Sequence, residues 1–324
     1  MLSYEDILNA RDSMHPEIFR TPMQVWRHGS TVSGKFVQLK LETLQRTGSF
    51  KARGAWNRLR LLSPLERKTG VLCVSAGNHA QGVALASHLL GIQATIVMPR
   101  STPDIKIKQT KLYGRPEIIL HGDNLSQAFD IAAGIQRERN LIFIHPYDDD
   151  AVIAGQGTIG LEIIEQWPDV DTILVPIGGG GLISGIITAL QHRRDVKIIG
   201  VQAEGADSAY RSLSEGKRIR VQDPATCADG INVAEIGERA FQILKSGWVP
   251  VLTVTEDEIM TTITALCQTA KLVVEPAGAA SAVPILFPRG ELMRSRRVVC
   301  VLSGANVNLC AFAQILTTHR EFPS

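Results

Sequence analysis

The chain has 324 residues, 44% hydrophobic and 20% charged, with a formal net charge of +2. That is the composition of a globular protein with room for one large or two medium domains. The near-neutral balance and scattered Lys and Arg exclude a dedicated nucleic-acid surface, and no apolar run approaches membrane-spanning length.

The acidic, polar start Met1-Leu2-Ser3-Tyr4-Glu5-Asp6 is not a signal peptide. The five cysteines, Cys73, Cys227, Cys267, Cys300 and Cys310, are dispersed without zinc spacing, which places the chain in a reducing cytoplasm. Ser3 and Asp6 resemble a capping box and predict a helix over Tyr4 to Met14, ended by His15-Pro16. From Phe36 to Glu42, Val37, Leu39 and Leu41 alternate with Gln38, Lys40 and Glu42, which predicts a strand with one solvated face.

The strand leads into Thr47-Gly48-Ser49-Phe50-Lys51-Ala52-Arg53-Gly54-Ala55. Ser49 suits a helix N-cap, and Phe50 to Leu62 reads as a helix with Ala52, Ala55, Trp56, Leu59 and Leu62 on its apolar side. Lys51 then sits in the first turn, where the backbone dipole opposes a positive charge and favours the neutral amine, the form that attacks carbonyls. Taken alone, Lys51 reads better as an ordinary solvated lysine beside Arg53, Arg58 and Arg60. The glycine-rich loops downstream reverse that balance.

From residue 70 the pattern is strand, loop, helix. Val71 to Val74 is a buried strand, Ser75-Ala76-Gly77-Asn78-His79 a loop, and Ala80 to Leu90 a helix closed by Gly91. Ala94 to Met98, Glu117 to Leu120 and Leu141 to Ile144 read as further strands, and βαβ alternation makes the unit parallel. The plan recurs in strand Thr172 to Ile177, loop Gly178-Gly179-Gly180-Gly181, helix Leu182 to Gln191 and strand Lys197 to Gln202. Residues 205–248 give no clear pattern. Val251 to Val254 is a strand, Thr255 and Glu258 cap a helix reaching Ala270, Glu275-Pro276-Ala277-Gly278-Ala279-Ala280 opens a small-residue helix, and Arg297 to Leu302 is a last strand before Ser303-Gly304-Ala305-Asn306.

Ligands of open parallel sheets bind beyond the carboxyl ends of the strands, where loops 75–79, 178–181 and 303–306 fall. Four consecutive glycines at a strand-to-helix turn expose several backbone N–H groups, a phosphate cradle helped by the next helix N-terminus. A dinucleotide is one reading. Its G-x-G-x-x-G pattern is only partial, with Ile183 or Ser184 at the third glycine position and Glu204 as ribose ligand, and it leaves Lys51, Asn78 and Ser303 without roles. Pyridoxal phosphate uses all of them: a lysine for its imine, a phosphate cradle, a partner for the ring nitrogen and a polar group near the phenolic oxygen.

From about Arg20 to Asn306 the sequence resembles the fold-type II pyridoxal-phosphate enzymes of the threonine dehydratase and serine racemase group. The motifs are Gly48-Ser49-Phe50-Lys51-Ala52-Arg53-Gly54-Ala55, Ser75-Ala76-Gly77-Asn78-His79-Ala80-Gln81-Gly82, Ala154-Gly155-Gln156-Gly157-Thr158, Gly178-Gly179-Gly180-Gly181-Leu182, Glu275-Pro276-Ala277-Gly278 and Ser303-Gly304-Ala305-Asn306. The resemblance implies an α/β, two-domain, tryptophan synthase β-like architecture with parallel-rich sheets flanked by helices. Residues 69–148 would form the small domain; 1–68 and 149–324 would form the large one. It implies Lys51 as the catalytic, cofactor-bearing lysine, Phe50 against the cofactor ring, Asn78 at the phenolic oxygen, Gly178, Gly179, Gly180, Gly181 and Leu182 around the phosphate, and Ser303 at the pyridine nitrogen. Ser75, Ala76, Gly77, Asn78 and His79 would hold the substrate carboxylate.

The implied activity is β-elimination from a β-hydroxy amino acid, L-threonine or L-serine, to a 2-oxo acid and ammonia, in a cytoplasmic homodimer or homotetramer with no nucleic-acid or membrane partner. The alternatives are a dehydratase of 3-hydroxyaspartate or another 3-substituted serine, an amino-acid racemase, a β-replacement synthase, and a ligand-binding regulator on the same sheet plan. Racemases of this kind place a second serine after the one matching Ser75; here the residue is Ala76. Some members bind a divalent cation through two acids flanking an alanine carbonyl. The matching positions are Gln202, Ala206 and Ser208, so no metal is expected. Tyr147, followed by Asp148-Asp149-Asp150, falls where a substrate side chain would be read, although an acidic surface turn is an equally good reading.

Overall fold

The computed structural model describes residues 2–323. Ser3 Oγ accepts the Asp6 N–H at 3.2 Å, and the Asp6 carboxylate accepts the Ser3 N–H at 2.9 Å, starting α1 (Tyr4–Asp12). The helix ends two residues before the predicted Met14, with Ser13 as its C-cap. Next come β1 (Met23–Val25), α2 (Arg27–Ser33), β2 (Phe36–Leu41), α3 (Lys51–Arg60) and α4 (Pro64–Thr69). A βα alternation then runs through β3 (Val71–Val74), α5 (Asn78–Leu90), β4 (Ala94–Met98), α6 (Asp104–Leu112), β5 (Glu117–Leu120), α7 (Leu125–Arg139) and β6 (Ile142–Phe143). A second follows through α8 (Asp150–Gln166), β7 (Thr172–Pro176), α9 (Gly181–Ala189) and β8 (Lys197–Ala203). The segment without a sequence pattern holds α10 (Ser208–Glu215) and α11 (Glu238–Ser246). The chain ends through β9 (Val251–Val254), α12 (Glu256–Ala265), α13 (Pro276–Ala279), α14 (Val283–Leu286), β10 (Arg297–Leu302) and α15 (Leu309–Thr318). Beyond α12 the helix widens into a π-turn over Leu266–Ala270, which completes the predicted span.

These strands form two sheets. One has six strands in the order β1-β2-β10-β7-β8-β9, parallel except where β1 runs against β2; the other has four parallel strands in the order β5-β4-β3-β6. The six-stranded sheet therefore sets β2, β10 and β7 side by side. Their carboxyl ends carry the Lys51 segment, Ser303 and the glycine run. The carboxyl end of β3 in the second sheet carries Ser75 to His79.

The solvated face expected on β2 is instead buried. Lys40 and Glu42 have no exposed surface, and with Arg53 and Glu162 they form a closed ionic cluster. Arg53 reaches Glu42 at 2.9 and 2.8 Å and Glu162 at 2.6 and 3.0 Å, while Lys40 Nζ lies 2.6 Å from Glu162. Burial alone would push the Glu42 carboxyl up, but Arg53 outweighs it and holds the group below the usual range. Alternation within β2 could not announce this, because the partner Glu162 lies 122 residues on, in α8.

The Ala154-Gly155-Gln156-Gly157 motif serves close packing. A Cβ on Gly155 would stand 2.5 Å from the Arg53 carbonyl oxygen, and one on Gly185 would stand 2.5 Å from the Gly157 nitrogen. Helices α3, α8 and α9 thus meet backbone to backbone, which fixes the helix that begins with Lys51.

Candidate active site

Short backbone pairings tie the predicted loops together. Ser49 and Gly304 form an antiparallel bridge, the Phe50 N–H donates to the Ser303 carbonyl at 3.1 Å, and the Ala305 N–H donates to the Gly48 carbonyl at 2.8 Å. The Glu275 N–H donates to the Gly304 carbonyl at 3.1 Å. Ser49 is therefore held by pairing rather than by capping: α3 starts on the backbone of Phe50, and the Ser49 hydroxyl is buried without a partner.

Phe50, Lys51, Ser75, Ala76, Gly77, Asn78, His79, Gly178, Gly179, Gly180, Gly181, Leu182 and Ser303 all line one cavity of about 760 Å³ between the two sheets. Lys51 is the first residue of α3, and its amine lies deep among protein atoms. It donates to the Pro146 carbonyl at 2.7 Å and sits 5.1 Å from the centre of the Phe50 ring, a cation–π contact. Burial lowers its pKa to about 8, against a pull upward from Glu275. The direction agrees with the sequence reading, but the cause is desolvation rather than the helix dipole.

Asn78 opens α5. Its Nδ2 donates to Glu275 Oε1 at 2.7 Å, and its Oδ1 accepts from Asn306 Nδ2 at 2.7 Å. Ser75 Oγ accepts the Gly77 N–H at 3.2 Å, a turn that holds the loop across the start of α5. His79 Nε2 faces the Ile144 carbonyl at 3.0 Å, which puts the ring proton there, and buried Nδ1 has no partner. Burial, reinforced by Lys51, pushes this imidazole down to about 3, so it stays neutral. Ser303 Oγ lies a long 3.4 Å from the Ala277 carbonyl, leaving the hydroxyl weakly engaged.

The glycine run leaves β7 and turns through Gly180 at φ 88° into α9. Tyr147 packs its ring on Gly179, where an added Cβ would lie 2.3 Å from the ring. The N–H groups of Gly181 and Leu182, the first two residues of α9, have no intrahelical acceptor and suit an anion. A lysine of lowered pKa, an anion cradle, a weakly engaged hydroxyl and orphaned His79 Nδ1 on one cavity wall fit pyridoxal phosphate. Glu204, the rival ribose ligand, lies outside this lining.

The three aspartates after Tyr147 are structural. Asp148 accepts the Glu238 and Arg239 N–H groups at 3.1 and 3.0 Å and so caps α11. Asp149 caps α8 and pairs with Arg58, and Asp150 pairs with Arg239. Tyr147 itself lines the cavity. Gln202 accepts the Ala209 and Tyr210 N–H groups at 3.0 Å each and donates to the Ala206 carbonyl at 3.2 Å, while the Ser208 hydroxyl donates to Val233. Among the described residues no group of three or more His, Cys, Asp or Glu is placed to hold a metal ion. Among the described residues no helix is long and apolar enough to cross a membrane.

Sequence reasoning assigned no role to Pro146, Glu275 or Asn306. The latter two stood in motifs, but only their convergence on Asn78 reveals what they touch.

Known proteins resemble the chain along its length. An L-threonine ammonia-lyase of Thermotoga maritima is 43% identical over 317 residues, 98% of this chain and 78% of that protein. The catabolic L-threonine dehydratase TdcB of Escherichia coli K12 is 40% identical, over 97% of this chain and 96% of that protein. Maize serine racemase superposes with a TM-score of 0.92 at 33% identity, covering 98% of both chains. The processed threonine deaminase isoform 2 of Solanum lycopersicum gives 0.89 at 35%, covering 97% of this chain and 86% of that one. These neighbours share the fold-type II architecture, and the sequence matches the pyridoxal-phosphate dependent enzyme family over residues 14–304. The chain belongs to that family.

Proposed function

We propose that this protein is a pyridoxal-phosphate-dependent ammonia-lyase that eliminates water from L-threonine or L-serine, giving a 2-oxo acid and ammonia. The observation that carries this is the convergence of Lys51, the glycine run and Ser303, at the ends of three adjacent strands, in one cavity. Its relatives named as threonine ammonia-lyases and dehydratases support the substrate class.

When bound, pyridoxal phosphate supplies electron withdrawal from the α-carbon of the amino acid. Lys51 would bear the cofactor, and its amine is the base placed to take the α-proton; a pKa of about 8 leaves a useful neutral fraction near neutral pH. The N-terminus of α5 and the Ser75–His79 loop hold the substrate carboxylate. The N–H groups of Gly181 and Leu182 would hold the phosphate, and the Asn78 amide would donate toward the phenolic oxygen. Ser303 would meet the ring nitrogen with a neutral hydroxyl, which does not force a proton onto it as an aspartate would. Ala76 offers no proton to the opposite face of the α-carbon, which disfavours racemisation.

We extend the proposal to a two-domain enzyme, with residues 69–148 as one domain and 1–68 plus 149–324 as the other. Its setting is a cytoplasmic homodimer or homotetramer, which light scattering tests. The function is tested with a panel of L-threonine, L-serine, 3-hydroxyaspartate and other 3-substituted serines, scored for 2-oxo acid and ammonia. Threonine or serine should turn over fastest; a clear preference for 3-hydroxyaspartate, or no turnover of any, contradicts the reading.

A further inference from the structure

A short turn between α10 and α11, residues 229–233, forms the part of the cavity wall that joins the glycine run to the Asn78–Glu275 pair. Its backbone is tied down. The Ile231 N–H donates to the Ala228 carbonyl at 2.8 Å, the Asn232 N–H to the Asp229 carbonyl at 3.2 Å and the Val233 N–H to the Ile231 carbonyl at 2.9 Å. The Ser208 hydroxyl donates to the Val233 carbonyl at 3.3 Å. A Cβ on Gly178 would stand 3.0 Å from Ile231 Cα and 3.2 Å from Val233 Cγ2, so the turn lies directly on the first glycine of the run. At its other end, a Cβ on Gly230 would stand 3.5 Å from Glu275 Oε1 and 3.9 Å from Asn78 Nδ2. Asn232 lies between these two contacts and lines the same cavity as Lys51.

The side chains of the turn have different fates. Ile231 is buried in the apolar core. Asp229 is exposed and pairs with Lys106 of α6 at 3.3 Å. Asn232 has no such engagement. Its Oδ1 is buried without a hydrogen-bond partner, and its Nδ2 has none among the described residues. An amide oxygen held out of water and unpaired costs free energy that an alanine here would avoid. A half-turn about the Cβ–Cγ bond exchanges the two ends, so the amide can present either a donor or an acceptor. The group that suits it both donates and accepts. The ligand groups proposed for this cavity narrow the choice. Phosphate, phenolic oxygen and substrate carboxylate are acceptors, and the Ser75–His79 loop with the N-terminus of α5 supplies donors to the carboxylate. The α-amino nitrogen is taken by the cofactor. The β-hydroxyl remains, with one hydrogen to give and lone pairs to share.

We propose that Asn232 reads the β-hydroxyl of the substrate, pairing with its hydrogen through Oδ1 or with its oxygen through Nδ2, and so selects hydroxylated amino acids over otherwise identical ones that lack the group. This rests on the ammonia-lyase reading above. Asn232 acts by binding and not by moving a proton, since a carboxamide does not titrate. It belongs to the six-stranded side of the cleft, between β8 and β9, whereas the carboxylate loop follows β3 of the four-stranded sheet. Hydroxyl and carboxylate are thus recognised from different halves of the cleft.

The test separates the hydroxyl from the carbon skeleton. L-2-Aminobutyrate has the amino group, carboxylate and carbon chain of L-threonine but no hydroxyl, so it binds without elimination. Its dissociation constant is read on the holoenzyme by titration calorimetry, and kcat/KM for L-threonine is read from 2-oxo acid formation. Asn232→Leu keeps the volume and removes both polar ends, Asn232→Ala removes the whole amide, and Asn232→Ser restores a shorter group that donates and accepts. In the Leu and Ala variants kcat/KM for L-threonine should fall about tenfold, the effect of one lost hydrogen bond, while the L-2-aminobutyrate constant should move by less than about twofold. Asn232→Ser should recover part of the loss. Either apolar variant decides the matter if the other fails to fold. Equal losses for both ligands, or no loss for either, overturn the role of Asn232 and leave the lyase reading intact. A wild-type holoenzyme that turns over neither threonine nor serine overturns both.

Discussion

Lys51 is the residue on which the proposed chemistry turns, and its environment makes a kinetic prediction. An amine attacks a carbonyl only when neutral. With the pKa lowered to about 8, cofactor uptake by cofactor-stripped protein should accelerate as pH rises and level off near that value. Below it the rate should fall about tenfold per pH unit; an ordinary lysine would keep gaining rate to about 10.4. Stopped-flow absorbance across pH 6 to pH 10 reads this directly. Lys51→Ala should lower turnover by about 10³-fold or more, since cofactor attachment and proton abstraction are both lost. Ala76 carries the second prediction at this scale. Proton transfer on both faces of the α-carbon needs two groups, and a methyl group is neither acid nor base. Chiral chromatography of an L-serine incubation should show D-serine forming far more slowly than pyruvate. Ala76→Ser should raise the D-serine fraction; comparable rates in wild type would contradict the assignment.

Among the elements, α3 is held by its far side as well as by Lys51. Arg53, two residues after Lys51, ties α3 to β2 through Glu42 and to α8 through Glu162, and Gly155 lets α8 approach. Removing one member of a buried charge cluster strands the others, so Arg53→Met should cost roughly 3–5 kcal/mol of stability, read as a lowered urea midpoint. A loss below about 1 kcal/mol would show that the cluster does not hold α3. Much of this level was legible beforehand. Strands at 71–74, 94–98, 117–120, 251–254 and 297–302 have the predicted bounds, because each is a short apolar run between turn residues. The capping boxes at Ser3 and Thr255 were equally local signals. What escaped was non-local. Lys40 and Glu42 looked solvated because their partners lie in other elements. Leu141 to Ile144 shrank to Ile142–Phe143, since this edge strand pairs only with β3 over two residues. The roles of Glu275 and Asn306 exist only once the 47–50, 275 and 303–306 segments are brought together.

For the whole molecule, the cavity lies between the loops at the strand carboxyl ends of the two sheets, and every residue predicted for the site lines it. The polar atoms of Gln202 are committed to the Ala206 carbonyl and two N–H groups. Activity should therefore be unchanged by EDTA and by added Mg²⁺, as a coupled ammonia assay would read; strong activation by a divalent cation would contradict this. The central claim is that Lys51 carries pyridoxal phosphate in this cavity. Borohydride reduction of the yellow holoenzyme, followed by peptide mass mapping, tests it most directly. The account predicts one pyridoxyl group per chain, on the peptide containing Lys51. A label on another lysine, or none, would contradict it.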